Sequence, residues 1–128
     1  MTLIVPDEGK VFLIKRSLNI ISVEDLRLRL YTNDVTPAQN SVFSTFTEAS
    51  GFGYSGVTLV GSSYTVVSGV TASYPQQTFT FSGALGKVYG YFVTGGVTLG
   101  WAERFTNGPY NVANSGDQIK LTPTMGVK

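Results

Sequence analysis

The stretch LRLRLY at residues 26–31 alternates apolar and polar side chains with a period of two. This period is typical of a β-strand with one buried face, because successive side chains point to opposite sides of a strand. We therefore expect the three leucines to face a core, and Arg27, Arg29 and Tyr31 to face outward. The next residues, Thr32-Asn33-Asp34, are a turn signal that ends the strand.

Similar segments recur along the rest of the chain. Further strands are predicted at residues 41–47, 54–60, 63–71, 77–82, 87–94, 97–105 and 117–123. Gly95-Gly96 is a two-residue hairpin signal between two of these segments, and clusters at 107–109 and 114–117 predict further turns. About eight short antiparallel strands predict an all-β fold, most simply a jelly-roll-like β-sandwich.

Residues 7–18 (DEGKVFLIKRSL) do not follow this pattern. Acidic residues lead and basic residues trail, as the helix dipole prefers, and Asp7 stands at the N-cap position. Val11, Ile14 and Leu18 share one face of such a helix. Gly9 and the β-branched residues favour an extended arm instead, so the segment is predicted as a short helix or arm.

Charge is concentrated near the N-terminus. Ten of the 17 charged residues lie in positions 1–34, and none lies between residues 49 and 86. Residues 1–34 are too few to build a hydrophobic core of their own. We therefore expect an N-terminal docking segment at 1–25 and a β-sandwich domain at 26–128. A solvated face explains the basic residues most simply; the alternative is an interface with an acidic groove on a partner protein. That interface would use Lys10, Phe12, Lys15, Arg16, Arg27, Arg29 and Tyr31.

The composition excludes several classes of protein. The 128-residue chain has no Cys and no His, which excludes disulfides, thiolate chemistry, serine triads and His-based zinc sites. A net charge of +1 gives no basis for binding a phosphate backbone. No apolar run approaches the roughly 20 residues of a membrane span, and the opening MTLIVPDE does not resemble a signal peptide. We expect no enzymatic activity, no cofactor, and neither nucleic acid nor membrane as a partner.

Acidic residues in the rest of the chain have catalytic and structural interpretations. Glu48 and Glu103 are the only acids in its middle, and a glycosidase needs such a carboxylate pair in a cleft. An ion pair between Glu103 and the adjacent Arg104 is the simpler account. Asp25, Asp34 and Asp117 have oxygen atoms that suit Ca²⁺, but their spacing is not that of an EF-hand loop, and turn capping is preferred for Asp34 and Asp117.

Trp101, Tyr89 and Tyr91 also have two interpretations. Aromatic rings on a surface stack against the apolar faces of pyranose sugars, which would make these residues glycan contacts. A lone tryptophan on an alternating strand is more often part of the core, and tyrosine is also favoured at protein interfaces.

Five stretches occur in order between residues 26 and 123. They are LRLYTNDVTP at 28–37, FTEAS at 46–50 followed by Gly53-Tyr54, YGYFVT at 89–94, WAERF at 101–105 and GDQIKLTP at 116–123. Together they resemble a family of small virion proteins from tailed bacteriophages. The resemblance implies a structural protein, with capsid decoration (cement) as the expected role and no catalytic motif.

This resemblance sets the expected partners and location. Decoration proteins with jelly-roll domains commonly sit as trimers on the outer shell, so we expect a homo-oligomer bound to the major capsid protein. The protein would be made in the host cytoplasm and reside on the capsid surface of the virion. The alternative is a tail or fibre-associated protein that adheres to a bacterial surface glycan.

Overall fold

The structure is a computed structural model that describes residues 3–18, 25–60, 65–68 and 71–126. Within these ranges the elements are α1 Asp7–Ser17, β1 Leu26–Tyr31, a 3-10 turn Phe43–Thr45, β2 Val57–Leu59, β3 Thr65–Ser68, β4 Thr71–Ser73, β5 Gln77–Thr80, β6 Gly86–Val88, β7 Gly90–Gly95, β8 Thr98–Arg104, β9 Tyr110–Val112, β10 Gln118–Leu121 and β11 Thr124–Gly126.

A four-stranded sheet with the order β2-β1-β7-β8 forms the centre of the fold. All of its strand pairs are antiparallel, and Leu28 of β1 lies between Val57 on one side and Val93 on the other. The remaining strands form smaller antiparallel groups, β10-β5, β11-β4-β3 and β6-β9. The prediction of a mostly antiparallel β fold with one short helix is confirmed.

Two clusters of buried side chains lie on opposite faces of this central sheet. The main core contains Leu28, Leu30, Ala49, Leu59, Tyr74, Phe79, Phe81, Val88, Tyr91, Val93, Trp101, Val112, Ile119 and Leu121. The second core contains Tyr31, Phe46, Phe92, Leu99 and Ala102. Neighbours along a strand alternate between the two, as the pleat of a strand requires.

A β-bulge in β8 explains the one departure from this alternation. Val93 pairs with Trp101 and Thr94 pairs with Leu99, so Gly100 is an extra residue without a partner in register. The extra residue turns Leu99 into the second core, although Trp101, two positions later, lies in the main core.

The burial of Tyr31 corrects the prediction that one face of β1 is solvated. Tyr31 is fully buried because the rings of Phe46 and Phe92 pack around it, with centroids 4.8 Å and 6.3 Å away. Side chains along β1 therefore alternate between the main core and the second core, with no fully solvated face.

The strand predicted at 41–47 is wrong. Phe43–Thr45 forms a 3-10 turn, in which the Thr45 N–H donates to the Val42 carbonyl at 3.0 Å and the Thr45 hydroxyl accepts from the Val42 N–H at 2.9 Å. The apolar residues that suggested a strand, Phe43 and Phe46, instead pack their rings against Phe92 in the second core.

Two other segments divide differently from the prediction, and two short strands were not predicted. Segment 63–71 was predicted as one strand, but β3 and β4 within this region pair with each other; residues 63–64 and 69–70 lie outside the described ranges. Segment 87–94 divides at Tyr89, because β6 pairs with β9 while β7 joins the central sheet. Strands β9 and β11 were missed, since three residues are too few to show a period.

The hairpin between β7 and β8 occurs one residue later than predicted. Gly95 pairs with Thr98, so the turn residues are Gly96 and Val97, and Gly96 has a positive φ of 61°. Glycine suits this position because it adopts positive φ without a steric penalty.

The helix predicted near the N-terminus is confirmed as α1 and packs along β8. Ile4, just before α1, exchanges two 2.9 Å hydrogen bonds with Ala102. Pro6 occupies the N-cap position and Asp7 begins the helix without a side-chain capping bond, so the predicted role of Asp7 is wrong. Residues 4–12 thus belong to the same folded unit as the strands, whereas residues 1–2 and 19–24 of the predicted docking segment lie outside the described ranges.

Candidate functional site

The face of α1 that points away from the sheet is the candidate functional site. Asp7, Val11, Ile14 and Leu18 follow each other at spacings of four, three and four residues, which places them in one stripe along a helix. Val11, Ile14 and Leu18 are 51%, 57% and 66% exposed. They share a face as predicted, but this face is in solvent. We call these four residues the outward stripe.

The opposite face of α1 holds the helix in place through close contacts. Gly9 lies so near β8 that a Cβ atom at this position would overlap the carbonyl oxygen of Gly100. Phe12 is buried and its ring fills the space where Gly95 has no side chain. The Glu8 carboxylate accepts a hydrogen bond of 2.8 Å from the Leu99 N–H. Turning the outward stripe inward would break all of these contacts.

Charged side chains flank the outward stripe. The Lys10 ammonium donates to the Gln39 side-chain oxygen at 2.9 Å and lies 3.6 Å from an Asp7 carboxylate oxygen. Both groups of this ion pair are mostly exposed, so the pair contributes little to stability. Lys15 is exposed and forms no ion pair with any described residue.

An open groove of about 470 Å³ runs beside the stripe. Its walls are Asp7, Glu8, Val11, Phe12, Lys15 and Thr98. Val97, which precedes Thr98 at the tip of the β7–β8 hairpin, is 78% exposed. Apolar surface is thus accessible on the helix, in the groove and at the hairpin tip.

Three of the seven predicted interface residues are internal. Phe12 and Tyr31 are buried, and Arg29 lies inside a network of contacts. The Arg29 guanidinium bonds to a Glu48 carboxylate oxygen at 2.7 Å and to the Thr94 hydroxyl at 2.9 Å. These three are therefore corrected from surface contacts to parts of the packed structure.

The other four predicted interface residues remain accessible to different degrees. Lys10 and Lys15 are exposed on α1, whereas Arg16 is half-buried with its guanidinium 5.4 Å from the centre of the Phe12 ring. Arg27 is half-buried on β1 and lies against Gly56. Lys10 and Lys15 of α1 therefore remain on the surface, whereas Arg27 and Arg29 of β1 are partly buried.

The three predicted glycan contacts do not form an exposed platform. Trp101 is 2% exposed and Tyr91 is 5% exposed, because both side chains belong to the main core. Tyr89 is half-buried beneath the Arg104 guanidinium, whose carbon lies 5.2 Å from the ring centre. A sugar cannot stack on Trp101 or Tyr91 unless the fold opens.

The carboxylates in the middle of the chain have structural partners. Glu48 binds Arg29 and accepts a 2.8 Å hydrogen bond from the Tyr54 hydroxyl. Glu103 accepts a 3.0 Å hydrogen bond from the Tyr91 hydroxyl.

Two other predictions about charged residues have opposite outcomes. Arg104 pairs with Asp34 at 2.7 Å, so the predicted ion pair between Glu103 and Arg104 is wrong. Asp117 accepts hydrogen bonds from the N–H groups of Ala113 and Asn114, which confirms turn capping there. Among the described residues, no group of three or more acidic side chains is placed to hold a metal ion.

Two tyrosines have raised pKa values for the same physical reason. Burial raises the pKa of Tyr31 to about 12, with the nearby Arg104 charge opposing the shift and the Asp34 charge adding to it. Burial is also the largest cause of the raised pKa of Tyr54. The Leu30 N–H opposes this rise by donating to the Tyr54 hydroxyl, and Glu48 adds to it. Both phenols are structural groups that stay protonated at neutral pH.

Comparisons of the chain with protein-family models, with curated proteins and with solved structures found no match. The resemblance to phage virion proteins therefore stays a prediction. In the described part of the chain, no helix has the length and apolar character needed to cross a membrane.

Sequence reasoning found that Val11, Ile14 and Leu18 share a face but did not predict whether that face is buried. A signal that the other face packs inward was present in Gly9, since a glycine in mid-helix often marks a close backbone approach. Recognising it requires knowing that Gly95 and Gly100 lie next to the helix, which only the folded chain shows.

Proposed function

We propose that this protein is a structural component of a tailed-bacteriophage virion, acting as a capsid decoration protein that stabilises the outer shell. The observation that carries the proposal is the outward stripe of α1, an apolar surface held in a fixed position on a packed β fold. Exposed apolar patches on such a scaffold are typical of surfaces that are covered in an assembly. The major capsid protein is the proposed partner, and the capsid surface is the proposed location.

The five resemblance stretches support the proposal through their positions in the fold. They include Leu28, Leu30, Phe92 and Trp101, which build the two cores on the central sheet. The similarity to virion proteins thus covers residues that specify the structure. As part of the proposal, the strands form a jelly-roll-like sandwich and the copies assemble as trimers.

The proposed mechanism uses many weak contacts. Each copy contributes only a modest interface, but symmetric repetition over a shell multiplies these contacts into a high avidity. Binding to the closed lattice and not to the ruptured one raises the free energy of rupture. The proposed mechanism requires no catalytic step.

Capsid binding by point variants tests this function. A deletion of residues 1–20 would not test the surface alone, because it also removes the contacts that residues 4–12 make with β8. Ile14→Asp places a charge in the outward stripe without touching the packed face of α1. Val42→Asp, at an exposed valine outside α1, is the matched control.

Capsids of the encoding phage that lack the protein are mixed with each variant and examined by sedimentation and cryo-electron microscopy. We expect ordered density for the wild type and for Val42→Asp, and a loss of occupancy of at least tenfold for Ile14→Asp. Bare capsids at saturating wild-type protein would contradict the proposed function.

One observation favours a second candidate function, adhesion to a bacterial surface glycan. Tyr110 is 40% exposed and borders a groove of about 400 Å³ together with Asn111, Gln118 and Lys120. An accessible aromatic face beside amide side chains suits a sugar ring. Glycan-array binding that disappears in Tyr110→Ala, with no binding to capsids, would favour this candidate.

A further inference from the structure

We propose that the outward stripe of α1 pairs with the same stripe on a second copy of this chain, with the two helices antiparallel. This inference rests on the proposed function, because it assigns the outward stripe to contacts between neighbouring copies on the shell, in addition to the contacts that each copy makes with the capsid protein. It is argued below from the spacing of the stripe, the charges that flank it and the free space beside it.

The spacing of the stripe is that of a helix–helix seam. Successive steps of four, three and four residues place Asp7, Val11, Ile14 and Leu18 at the positions that coiled-coil helices use to contact each other. In an antiparallel pair, Val11 of each copy lies against Ile14 of the other. Leu18 of each copy then lies near the start of the opposite helix, which Asp7 begins.

The flanking charges select the antiparallel orientation. Glu8 and Lys15 both line the groove on one side of the seam. One Glu8 oxygen accepts from the Leu99 N–H, and in an antiparallel pair the Glu8 carboxylate of each copy lies near Lys15 of the other. The two-fold symmetry of the pair repeats this contact, so the surface is complementary to itself. In a parallel pair, Lys10 of one copy would instead lie beside Lys15 of the other and repel it. The antiparallel arrangement also opposes the two helix dipoles favourably.

The surroundings of the stripe are open on one side. The groove of about 470 Å³ opens on the side where Glu8 and Lys15 lie, and Val11 and Phe12 form part of its wall. Lys15 has no ion-pair partner among the described residues, so its ammonium is available to a carboxylate on the second copy.

The size of the stripe determines how strong the pairing is. A stable dimer buries roughly 800 Å² on each partner, which three aliphatic side chains on a three-turn helix do not reach. The pair is therefore weak for free protein and gains strength when a shell holds copies at high local concentration. Pairing between neighbouring copies would add lateral contacts to those each copy makes with the capsid.

Disulfide trapping tests the orientation directly, because the chain has no cysteine of its own. Val11→Cys and Ile14→Cys are made separately, mixed in equal amounts at about 100 µM and oxidised. Random coupling gives half of the dimers as the mixed species. We expect the mixed disulfide to exceed four-fifths of all dimers, since only the antiparallel pair brings positions 11 and 14 together.

Two control experiments accompany the trapping. A mixture of Ile14→Cys and Val42→Cys reports random collisions and should give the statistical proportion. Adding Lys15→Glu to both helix variants should slow formation of the mixed disulfide at least fivefold, because Glu8 and the new carboxylate repel. A statistical proportion in the helix mixture, or an excess of dimers linking identical positions, would overturn the antiparallel pairing.

The outcomes also separate this inference from the proposed function. If Ile14→Asp loses capsid occupancy but the mixed disulfide is not enriched, the surface binds capsid protein alone and self-pairing is wrong. If the mixed disulfide is enriched but the wild type leaves capsids bare, self-pairing stands and the proposed function fails.

Discussion

The two cores of this protein are covered in different ways. Strand pairs such as β5 with β10 and β6 with β9 supply the main core, so residues there alternate along regular strands. The second core is covered by Val35, Phe43 and Phe46, which lie in an irregular segment with one 3-10 turn. A face covered by strands has continuous hydrogen-bonded ladders, whereas a face covered by a loop depends on a few specific contacts.

Those specific contacts are visible around Arg29. Its guanidinium bonds to Glu48 and Thr94 and lies 5.6 Å from the centre of the Phe43 ring. Asn33 adds two more bonds to the same segment, donating to the Thr45 carbonyl and accepting from the Thr47 N–H. Because few groups carry this attachment, we expect the segment to open at a lower free energy than the main core.

The largest effect should come from Trp101→Ala in the main core. Removing a fully buried indole leaves a large cavity, and the free energy of unfolding should fall by about 3–5 kcal/mol. The Nε1 atom of Trp101 has no hydrogen-bond partner among the described residues, so Trp101→Phe should cost much less. Urea unfolding followed by circular dichroism measures both variants; equal losses would contradict this account.

The second core should respond less, through Phe46→Ala. The Phe46 ring stacks on Phe92 with a centroid distance of 5.0 Å, and its loss should cost about 3 kcal/mol. Hydrogen exchange should show faster exchange at the Thr47 and Ala49 amides than in β7. If exchange instead increases uniformly, the two cores unfold as one unit and the comparison between them fails.

The packed face of α1 is tested by Gly9→Ala. Alanine in place of glycine normally stabilises a helix by about 1 kcal/mol. Here the added Cβ would overlap the Gly100 carbonyl, and we expect a loss of about 2 kcal/mol. Ser17→Ala, at the exposed end of α1, is the control and should change the free energy of unfolding by less than about 0.5 kcal/mol. A stabilised Gly9→Ala variant would show that the helix is not held against β8.

The smallest effect at neutral pH should come from Tyr31→Phe. The Tyr31 hydroxyl donates a 3.1 Å hydrogen bond to the Val35 carbonyl, and its loss should cost about 1 kcal/mol at pH 7.

A stronger dependence on Tyr31 is expected in alkali. Its pKa rises from 10.0 to about 12 on folding, so the contribution is complete below pH 10 and is lost as the pH rises towards 12. Phenolate absorbance and circular dichroism, measured together, should show a weaker alkaline loss of stability in Tyr31→Phe. An identical pH profile for the two proteins would assign the alkaline loss to other groups, Tyr54 first.

Local patterns predicted most regular elements and failed where chain packing decided the outcome. The alternation at 26–31 and the charge order at 7–18 identified β1 and α1, because both patterns arise from the geometry of a single element. The aromatic pattern at 41–47 was misread as a strand, since Phe43 and Phe46 pack on Phe92 from a turn. The buried position of Trp101 was one of two open interpretations, and only the structure decided between them.

The sequence alone determined that this chain has no thiol, no imidazole and a mostly β composition with charge concentrated near its N-terminus. Only the tertiary structure decided which face of α1 meets solvent. Apolar spacing is a property of one element, whereas burial depends on what lies beside it. Here β8 presents backbone at Gly100, so the face containing Gly9 packs inward and the outward stripe, with its three aliphatic side chains, remains exposed.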